Sequence, residues 1–242
     1  MKTYDNVLVT GGSGFLGSHL KKALPGAYFP THEELEVESI GSIIQYLEDK
    51  RDNINTVFHG AAFTSPPIID KDPLRALWVN IIGTTNMVDL CMLNKYRLIY
   101  MSTDYVFKGD KGKYKEDDPV YPVNKYAWSK LGGECAVRMY DNSLIVRTNI
   151  CPDPFPYDKA FIDQWTSRDY IQNIIPKIVK LIDSAITGTI HIGGKKQRIY
   201  HLARQTKPRV EELYTSDVDF KVPRDVSLNQ RRWKEWLKKQ ES

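Results

Sequence analysis

The chain has 242 residues, of which 41% are hydrophobic and 26% are charged, and this composition excludes a disordered protein. Its 34 basic and 30 acidic residues give a formal net charge of +4, too even a balance to indicate a nucleic-acid-binding surface. The 3 cysteines form no CxxC pair and no apolar run reaches the roughly 18 residues of a membrane span, so we expect a reduced, cytoplasmic protein that does not enter a membrane.

Strand and helix patterns alternate through the first 150 residues. A continuous apolar run at 6–10 predicts a strand that is buried on both faces of a parallel sheet. Further strands are expected at 27–29, 56–60, 97–101 and 144–147, and helices at 15–24, 39–50, 74–94 and 126–139. This order predicts an α/β fold with a doubly wound parallel sheet, the Rossmann arrangement.

The alternation stops at a proline-rich stretch, residues 151–156. We therefore expect a Rossmann domain at residues 1–150 and a small C-terminal lobe at 151–242. Within the lobe, helical patterns lie near 174–186, 200–205 and 229–240, and a strand pattern lies near 189–192. Trp165 and Tyr170 are either core residues of this lobe or stacking partners for a nucleotide base.

A glycine-rich turn, TGGSGFLG at residues 10–17, joins the first strand to the first helix. Gly11, Gly14 and Gly17 allow the backbone to approach a pyrophosphate, and the helix N-terminus favours the anion. A tight turn without a ligand is the alternative. The strand–turn–helix context favours a dinucleotide-binding site.

The end of the second strand bears on the choice of dinucleotide. An NAD site has an acid about 20 residues beyond the first glycine, and here Thr31 or His32 is nearest to that place. No carboxylate excludes a 2′-phosphate there, although no arginine is evident to bind one. We favour NADP(H), with NAD(H) as the alternative.

A tyrosine and a lysine four residues apart, Tyr126 and Lys130, share one face of a predicted helix. The lysine charge, together with an oxidised nicotinamide, is expected to lower the pKa of Tyr126, so that the phenol can exchange a proton with a substrate oxygen. Thr103, at the end of its strand, can hydrogen-bond the same oxygen. The pair alone is common on solvated helices, and its combination with Thr103 and the glycine turn indicates carbonyl chemistry.

The combined motifs resemble the extended short-chain dehydrogenase/reductases, and within them the dTDP-4-dehydrorhamnose reductase-like family of sugar nucleotide-binding proteins. The matching segments occur in the family's order over residues 6–150, with thinner matches at 188–194 and 223–228. They are TGGSGFLG at 10–17, AAFT at 61–64, DKDP at 70–73 leading to Asn80, STDYVF at 102–107, YAWSK at 126–130 and VRT at 146–148.

The resemblance implies a role for each matching residue. Thr103, Tyr126 and Lys130 would be catalytic, with Tyr126 and Lys130 also touching the cofactor and Asn80 supporting Lys130. The other cofactor-binding residues would be Gly11, Ser13, Gly14, Phe15, Leu16, Gly17, Thr31, Ala61 and Ala62. Thr64, Tyr105 and Arg147 are candidates for the substrate side, and a purely structural role is equally open for Arg147. No metal site is expected.

The implied function is NAD(P)H-dependent reduction of the 4-keto group of a nucleotide-linked deoxysugar. Dehydratase relatives have a glutamate where this chain has Tyr105, so the acid/base needed for dehydration is missing from its usual place. The alternatives are a sugar-nucleotide epimerase and a non-catalytic NADP-binding regulatory subunit. Residues 168–171 resemble the epimerase and dehydratase relatives, and the chain is short after Ile150, which leaves the substrate pocket undefined. The oligomeric state is open, a homodimer being one option.

Overall fold

The computed structural model describes residues 2–241, with the side chain of residue 241 left out. The strands are β1 (Val7–Thr10), β2 (Thr56–His59), β3 (Arg97–Thr103), β4 (Ser143–Thr148), β5 (Ile150–Cys151), β6 (Lys159–Phe161), β7 (Trp165–Thr166), β8 (Asp169–Tyr170), β9 (Gly188–His191), β10 (Gln197–Arg198) and β11 (Glu211–Leu213). The helices are α1 (Phe15–Ala23), α2 (Ile40–Leu47), α3 (Pro66–Lys71), α4 (Leu74–Asn94), α5 (Lys125–Val137), α6 (Ile171–Ile182), α7 (Ile199–Ala203) and α8 (Arg231–Glu241).

Five strands form a central parallel sheet in the order β1-β2-β3-β4-β9. The strand expected at 27–29 is reduced to a single bridge between Tyr28 and Leu8, on the outer side of β1. The next strand along the chain, β2, lies on the inner side of β1. The order of the sheet therefore reverses at β1, and such a reversal opens a crevice at the carboxyl ends of the strands.

Both faces of the sheet are covered by helices, because successive strand residues point to opposite faces. One face packs against α1, α6 and α8, and its core includes Val7, Val9, Phe58, Ile99, Val146, Leu20, Ile178 and Trp233. The other face packs against α2, α4 and α5, and its core includes Leu8, Val57, Leu98, Ile145, Ile43, Met87, Cys91 and Val137. These three layers confirm the predicted doubly wound α/β fold.

The helix α4 has the bounds that its hydrophobic periodicity predicts. By length and composition alone it could cross a membrane, contrary to our expectation that no apolar run is long enough. In the fold, Met87, Leu90 and Cys91 are buried against the sheet. The stretch Leu77–Ile82 is π-helical, and it turns the side chain of Asn80 into the protein interior.

The smaller lobe consists of short strand pairs, β6 with β11, β7 with β10 and β5 with β8, around a core that includes Phe155, Tyr170 and Ile199. The hydroxyl of Tyr170 lies within the lobe, 2.7 Å from the carbonyl oxygen of Leu202, so Tyr170 is a core residue. However, α6, β9 and α8 return to the main sheet. The expected boundary at residue 150 therefore does not separate the sheet domain from the lobe, because segments beyond residue 150 belong to the sheet domain.

Candidate active site

The glycine turn between β1 and α1 has the backbone of a phosphate-binding loop. Gly11 has a φ of 75°, and a side chain at Gly17 would collide with the carbonyl oxygen of Gly11. The N-cap of α1 is Gly14, with no side-chain cap, and the first turn contains no acidic residue. The first N–H groups of α1 are therefore available to an anion.

A cleft of about 200 Å³ opens beside this turn. Among the predicted cofactor residues, its lining includes Gly11, Ser13, Gly14, Thr31, Ala61 and Ala62. Phe15 and Leu16 form the first turn of α1, and Gly17 and Asn80 are buried behind the lining. The residues present fit a dinucleotide, because a glycine cradle, an uncapped helix end and apolar walls converge at the switch point of the sheet.

Two charged residues of the cleft were not predicted from the sequence. Arg75 extends from α4, with its guanidinium carbon 5.0 Å from the centre of the Phe63 ring. Glu38 also lines the cleft, and its Oε2 atom is buried without a hydrogen-bond partner. The sequence does not indicate Arg75, because this residue lies on α4, far along the chain from the end of the second strand, where an arginine that binds a 2′-phosphate is expected.

The buried side chain of His59 connects segments around the cleft through hydrogen bonds. The Thr84 hydroxyl donates to the carbonyl oxygen of Asn80 at 2.8 Å, so its oxygen accepts from the Nε2–H of His59 at 3.0 Å. The Nδ1 of His59 then accepts from the Thr10 hydroxyl at 2.7 Å, and Thr10 accepts from the Ala61 N–H at 3.3 Å. Burial lowers the pKa of His59 to about 3, and the nearby Lys130 charge acts in the same direction. His59 is thus a neutral structural residue.

Asn80 links the cofactor cleft to α5, the helix that carries Tyr126 and Lys130. Its side-chain amide donates to the carbonyl oxygen of Phe63 at 2.9 Å and to the Ser129 hydroxyl at 2.8 Å, and it accepts from the Phe63 N–H at 2.8 Å. Ser129 in turn donates to the carbonyl oxygen of Tyr126 at 2.7 Å. Asn80 therefore fixes the loop after β2 against the first turn of α5.

The three predicted catalytic residues come together at the carboxyl end of β3. Thr103 ends that strand, and Tyr126 and Lys130 lie one turn apart on α5, which begins at the side-chain cap of Asn124. Thr103 and Tyr126 line a common cavity. Lys130 is buried behind them, with its ammonium 4.2 Å from the centre of the Tyr100 ring.

Burial dominates the protonation of these residues. It raises the pKa of Tyr126 above its ordinary value, and a hydrogen bond with Thr103 only partly opposes that rise. Burial also lowers the pKa of Lys130 to about 7, against the opposing charge of Glu134. Without a cofactor, Tyr126 therefore keeps its proton at neutral pH, and a lowered phenol pKa beside an oxidised nicotinamide stays a prediction.

The carboxyl group of Asp104 follows Thr103 directly and is fully buried. Its Oδ1 accepts from the Thr103 hydroxyl at 3.3 Å and from the Asn149 amide at 3.0 Å, and its Oδ2 accepts from the Thr166 hydroxyl at 3.2 Å. Burial raises the pKa of Asp104 to about 7. The sequence placed Asp104 inside a matching motif without indicating a role.

The cavity beside Thr103 and Tyr126 has a volume of about 470 Å³. Of the predicted substrate residues, Thr64 and Tyr105 line it, and the Tyr105 hydroxyl accepts from the Gln164 amide at 3.0 Å. The lobe completes its walls with mostly apolar and aromatic residues and two cations: Phe155, Tyr157, Lys159, Phe161, Arg168, Ile199, Leu213, Val218 and Phe220. Trp165 is not in the lining; its ring contacts Lys196 and Arg198 instead.

Arg147, the third predicted substrate residue, lies outside the cavity. Its guanidinium is fully buried and pairs with Glu134, with a nitrogen–oxygen distance of 2.7 Å. It also donates to the carbonyl oxygen of Glu116 at 3.2 Å and stacks over the Phe107 ring. Each of these contacts is internal, so the geometry supports the structural role for Arg147.

A Rossmann sheet with a dinucleotide cleft at its switch point, and a Thr–Tyr–Lys set at the edge of an adjoining cavity, defines an extended short-chain dehydrogenase/reductase. The family described as RmlD substrate binding domain matches residues 5–153 of this chain. The chain belongs to this family.

Two relatives of the chain differ in what they are called. A dTDP-4-dehydrorhamnose reductase of Aggregatibacter actinomycetemcomitans is 28% identical over an alignment of 198 positions, which covers 78% of this chain and 62% of the reductase. A methionine adenosyltransferase 2 subunit beta of Xenopus laevis is 30% identical over an alignment of 226 positions, which covers 78% of this chain and 67% of that subunit. Sequence identity to these relatives therefore does not decide whether this chain is an enzyme or a regulatory subunit.

The fold is shared with solved structures of the same family. The crystal structure of dTDP-4-dehydrorhamnose reductase from Bacillus anthracis str. Ames in complex with NADP superposes with a TM-score of 0.84 at 24% identity. The superposition covers 95% of this chain and 90% of that one. The small lobe is thus included in the likeness, beyond the segment that the family match covers.

Proposed function

We propose that this protein reduces the 4-keto group of a nucleotide-linked deoxysugar with NADPH. The observation that carries the proposal is the placement of Thr103 and a protonated Tyr126 at the wall of a cavity that adjoins the dinucleotide cleft. A proton donor and a second hydroxyl at one wall are what a keto oxygen needs as it becomes an alkoxide.

The chain's own residues account for the proton chemistry. A nicotinamide dinucleotide bound in the cleft supplies the hydride. Tyr126 gives its phenolic proton to the carbonyl oxygen, and Thr103 hydrogen-bonds the same oxygen. Lys130, when protonated, stabilises the negative charge left on Tyr126. Asn80 holds α5 in place against the loop after β2 through its hydrogen bonds to Phe63 and Ser129.

The cavity suits a sugar nucleotide because it combines apolar walls with a cation near the reacting residues. Arg168 lines the cavity and donates through Nε to the carbonyl oxygen of Ile150 at 3.1 Å, which leaves its other N–H groups for a diphosphate. Phe155, Phe161 and Phe220 offer apolar surface to a base or to a deoxysugar.

NADPH is the favoured cofactor, with NADH as the alternative. Arg75 supplies a cation to the cleft, which Thr31 and Glu38 also line, and a 2′-phosphate would pair with this cation. The similar Bacillus anthracis reductase structure contains NADP. Because the cofactor and the sugar nucleotide are soluble metabolites, we place the protein in the cytoplasm.

The test is an assay of NADPH oxidation against a panel of 4-keto sugar nucleotides that differ in base and in sugar. We expect stoichiometric oxidation of NADPH and a product that carries one new hydroxyl. A sugar nucleotide converted without net consumption of cofactor would indicate an epimerase instead. The absence of turnover with every member of the panel would contradict the proposal.

A second candidate is a non-catalytic regulatory subunit, and it is favoured by the similarity to methionine adenosyltransferase 2 subunit beta. The two candidates differ in what Tyr126→Phe would do. A subunit that acts by binding would keep its biological activity in this variant, whereas the reductase would lose turnover. Measuring complementation and NADPH oxidation on the same variant separates them.

For the oligomeric state we propose a homodimer, built on an exposed apolar face of α4 and α5. Trp78 on α4 and Trp128 on α5 are each about half exposed, Met92 is exposed on α4, and Met139 is exposed just beyond the end of α5. Packing against a second copy would bury this face symmetrically. Light scattering should give twice the chain mass, and Trp128→Glu should give a monomer that still binds NADPH; a wild-type monomer would contradict the dimer.

A further inference from the structure

Asp104 connects the catalytic threonine to the small lobe. Its carboxyl accepts from the Thr103 hydroxyl on one side, and from Asn149 and Thr166 on the other. It has no exposed surface and does not line the cavity. Any effect of Asp104 on a substrate in the cavity must therefore pass through a neighbour that lines it, and both Thr103 and Asn149 are hydrogen-bonded to Asp104 and line the cavity. Thr103 is the one of the two that also hydrogen-bonds Tyr126.

The hydroxyl of Thr103 has a single hydrogen to donate. Its oxygen accepts from the Tyr105 N–H at 3.2 Å, and its hydrogen is directed to Oδ1 of Asp104. A hydrogen bond between the Thr103 and Tyr126 side chains completes its contacts. While the carboxylate holds the Thr103 hydrogen, Thr103 can accept from Tyr126 but cannot donate to a keto oxygen.

We propose that Asp104 is a positioning residue whose proton decides the direction of the Thr103 hydroxyl. With a proton on Oδ1, Asp104 donates to the Thr103 oxygen, and the Thr103 hydrogen turns towards the substrate oxygen. With Asp104 ionised, that hydrogen returns to the carboxylate and the substrate loses one donor. This inference rests on the proposed reductase function.

The neighbours of Asp104 limit where its proton can go. The Asn149 amide nitrogen only donates, so it cannot accept a hydrogen from the carboxyl group. The Thr166 oxygen already accepts from the Arg168 N–H at 2.9 Å while its hydroxyl donates to Oδ2. The Thr103 oxygen accepts from the Tyr105 N–H in the same way, and it is the acceptor that faces Oδ1, so a proton on Oδ1 is donated to Thr103.

The surroundings make both states accessible near neutral pH. Burial raises the pKa of Asp104 to about 7, while the hydrogen bonds from Asn149, Thr166 and Thr103 and the Arg168 charge lower it. The phenols of Tyr105 and Tyr126 also face it. Since the protonated form supports the donor, reduction should slow as pH rises through about 7.

The kinetic test is the single-turnover reduction rate, measured across about two pH units on either side of 7. We expect the wild-type rate to fall with rising pH towards a plateau roughly 10²- to 10³-fold lower, the cost of one donor at a developing oxyanion. Asp104→Asn, a permanently neutral analogue, should show no fall that is assignable to this group, and Thr103→Val should be slow at every pH.

Thr166→Val serves as the matched control, because it removes a hydrogen bond that stabilises the carboxylate without touching Thr103. We expect the midpoint of the pH profile to move upward in this variant. Lys130 titrates in the same range, but neither Asp104→Asn nor Thr166→Val removes its ammonium. A wild-type midpoint retained in Asp104→Asn would overturn the proposal and assign the profile to Lys130.

A second measurement needs no substrate, so it separates failure of this inference from failure of the proposed function. The Tyr105 amide donates to the Thr103 oxygen, so its proton chemical shift should follow the reorientation of that hydroxyl in the free protein. We expect this shift and the carbon signal of the Asp104 carboxyl to titrate together near pH 7, and the amide titration to disappear in Asp104→Asn. A carboxyl that titrates without moving the Tyr105 amide would overturn the proposal.

Discussion

Glu134 and Arg147 form a two-pronged ion pair between α5 and β4, with Nε to Oε1 at 2.9 Å and Nη2 to Oε2 at 2.7 Å. Neither side chain is accessible to solvent, and Ser102 donates a third hydrogen bond to Glu134 at 2.5 Å. The pair therefore fastens α5, the helix of Tyr126 and Lys130, to β4, the strand next to β3.

Glu134→Gln should lower the free energy of unfolding by about 3–5 kcal/mol, because it leaves the Arg147 charge buried without a counterion. Denaturant titration followed by circular dichroism measures the change. Arg138→Gln is the control: Arg138 is half exposed and lies 3.9 Å from Glu134, so its loss should cost less than about 1 kcal/mol. Equal losses of unfolding free energy in the two variants would show that the buried Glu134–Arg147 pair stabilises the protein no more than the exposed Arg138 does.

Tyr126→Phe should reduce the rate of hydride transfer by roughly 10²- to 10⁴-fold, the usual contribution of a general acid. The affinity for NADPH should change little, because the aromatic ring remains in place. Stopped-flow oxidation of NADPH and a fluorescence titration of NADPH binding measure the two quantities. The exposed residue Tyr121, changed to phenylalanine, should leave both unaltered; a Tyr126→Phe enzyme of normal rate would require another proton donor.

Lys130 should make the protein more stable as pH rises above about 7. Its pKa is lowered to about 7 in the folded protein, so between that pH and its ordinary value near 10.5 the unfolded chain binds more protons than the native one. The free energy of unfolding therefore increases with pH in this window, with a slope of at most about 1.4 kcal/mol per pH unit.

Lys130→Met should remove that slope, and denaturant titrations at several pH values provide the test. The exposed Lys125, changed to methionine, should retain the slope. If the slope persisted in Lys130→Met, Lys130 would not be the group that loses its proton on folding.

Thr84→Val should destabilise the protein by about 1–3 kcal/mol, because the buried Nε2–H of His59 loses its acceptor. NADPH should also bind more weakly, since the same network supports the Ala61 amide in the cleft. The adjacent Thr85 is a matched control: its hydroxyl bonds to the carbonyl oxygen of Ile81 on the exposed side of α4. Thr85→Val should alter neither unfolding nor NADPH affinity, and equal effects of the two changes would argue against the network.

Arg75→Ala should weaken NADPH binding about tenfold and leave NADH binding nearly unchanged, if its guanidinium pairs with the 2′-phosphate. Isothermal titration with the two cofactors measures both constants without any turnover. Lys71→Ala, a change in a nearby residue outside the cleft lining, is the control. Equal weakening of both cofactors would place Arg75 at the pyrophosphate rather than at the 2′-phosphate.

Periodicity and turn chemistry were sufficient for much of the fold. The bounds expected for α4 at 74–94 match the structure, and those of α1 and α5 agree to within two residues. Local rules suffice for such elements because an apolar stripe and a glycine turn act within a few residues of chain. The strand expected at 27–29 fails because edge pairing depends on its neighbours, which support only the Tyr28 bridge.

Which residues line the site depends on packing between segments that are far apart in the sequence. Arg75, Asp104 and the aromatic walls of the cavity come from segments whose approach no local pattern reveals, and Arg147 points inward because Glu134 of α5 lies there to receive it.

The sequence by itself predicted the sheet, the glycine turn between β1 and α1, and the candidate catalytic residues Thr103, Tyr126 and Lys130, because a strand, a turn and a helix face are each encoded by neighbouring residues. Only the tertiary structure decided their electrostatics. Burial, which depends on every segment around a group, keeps Tyr126 protonated and brings the pKa values of Asp104 and Lys130 to about 7.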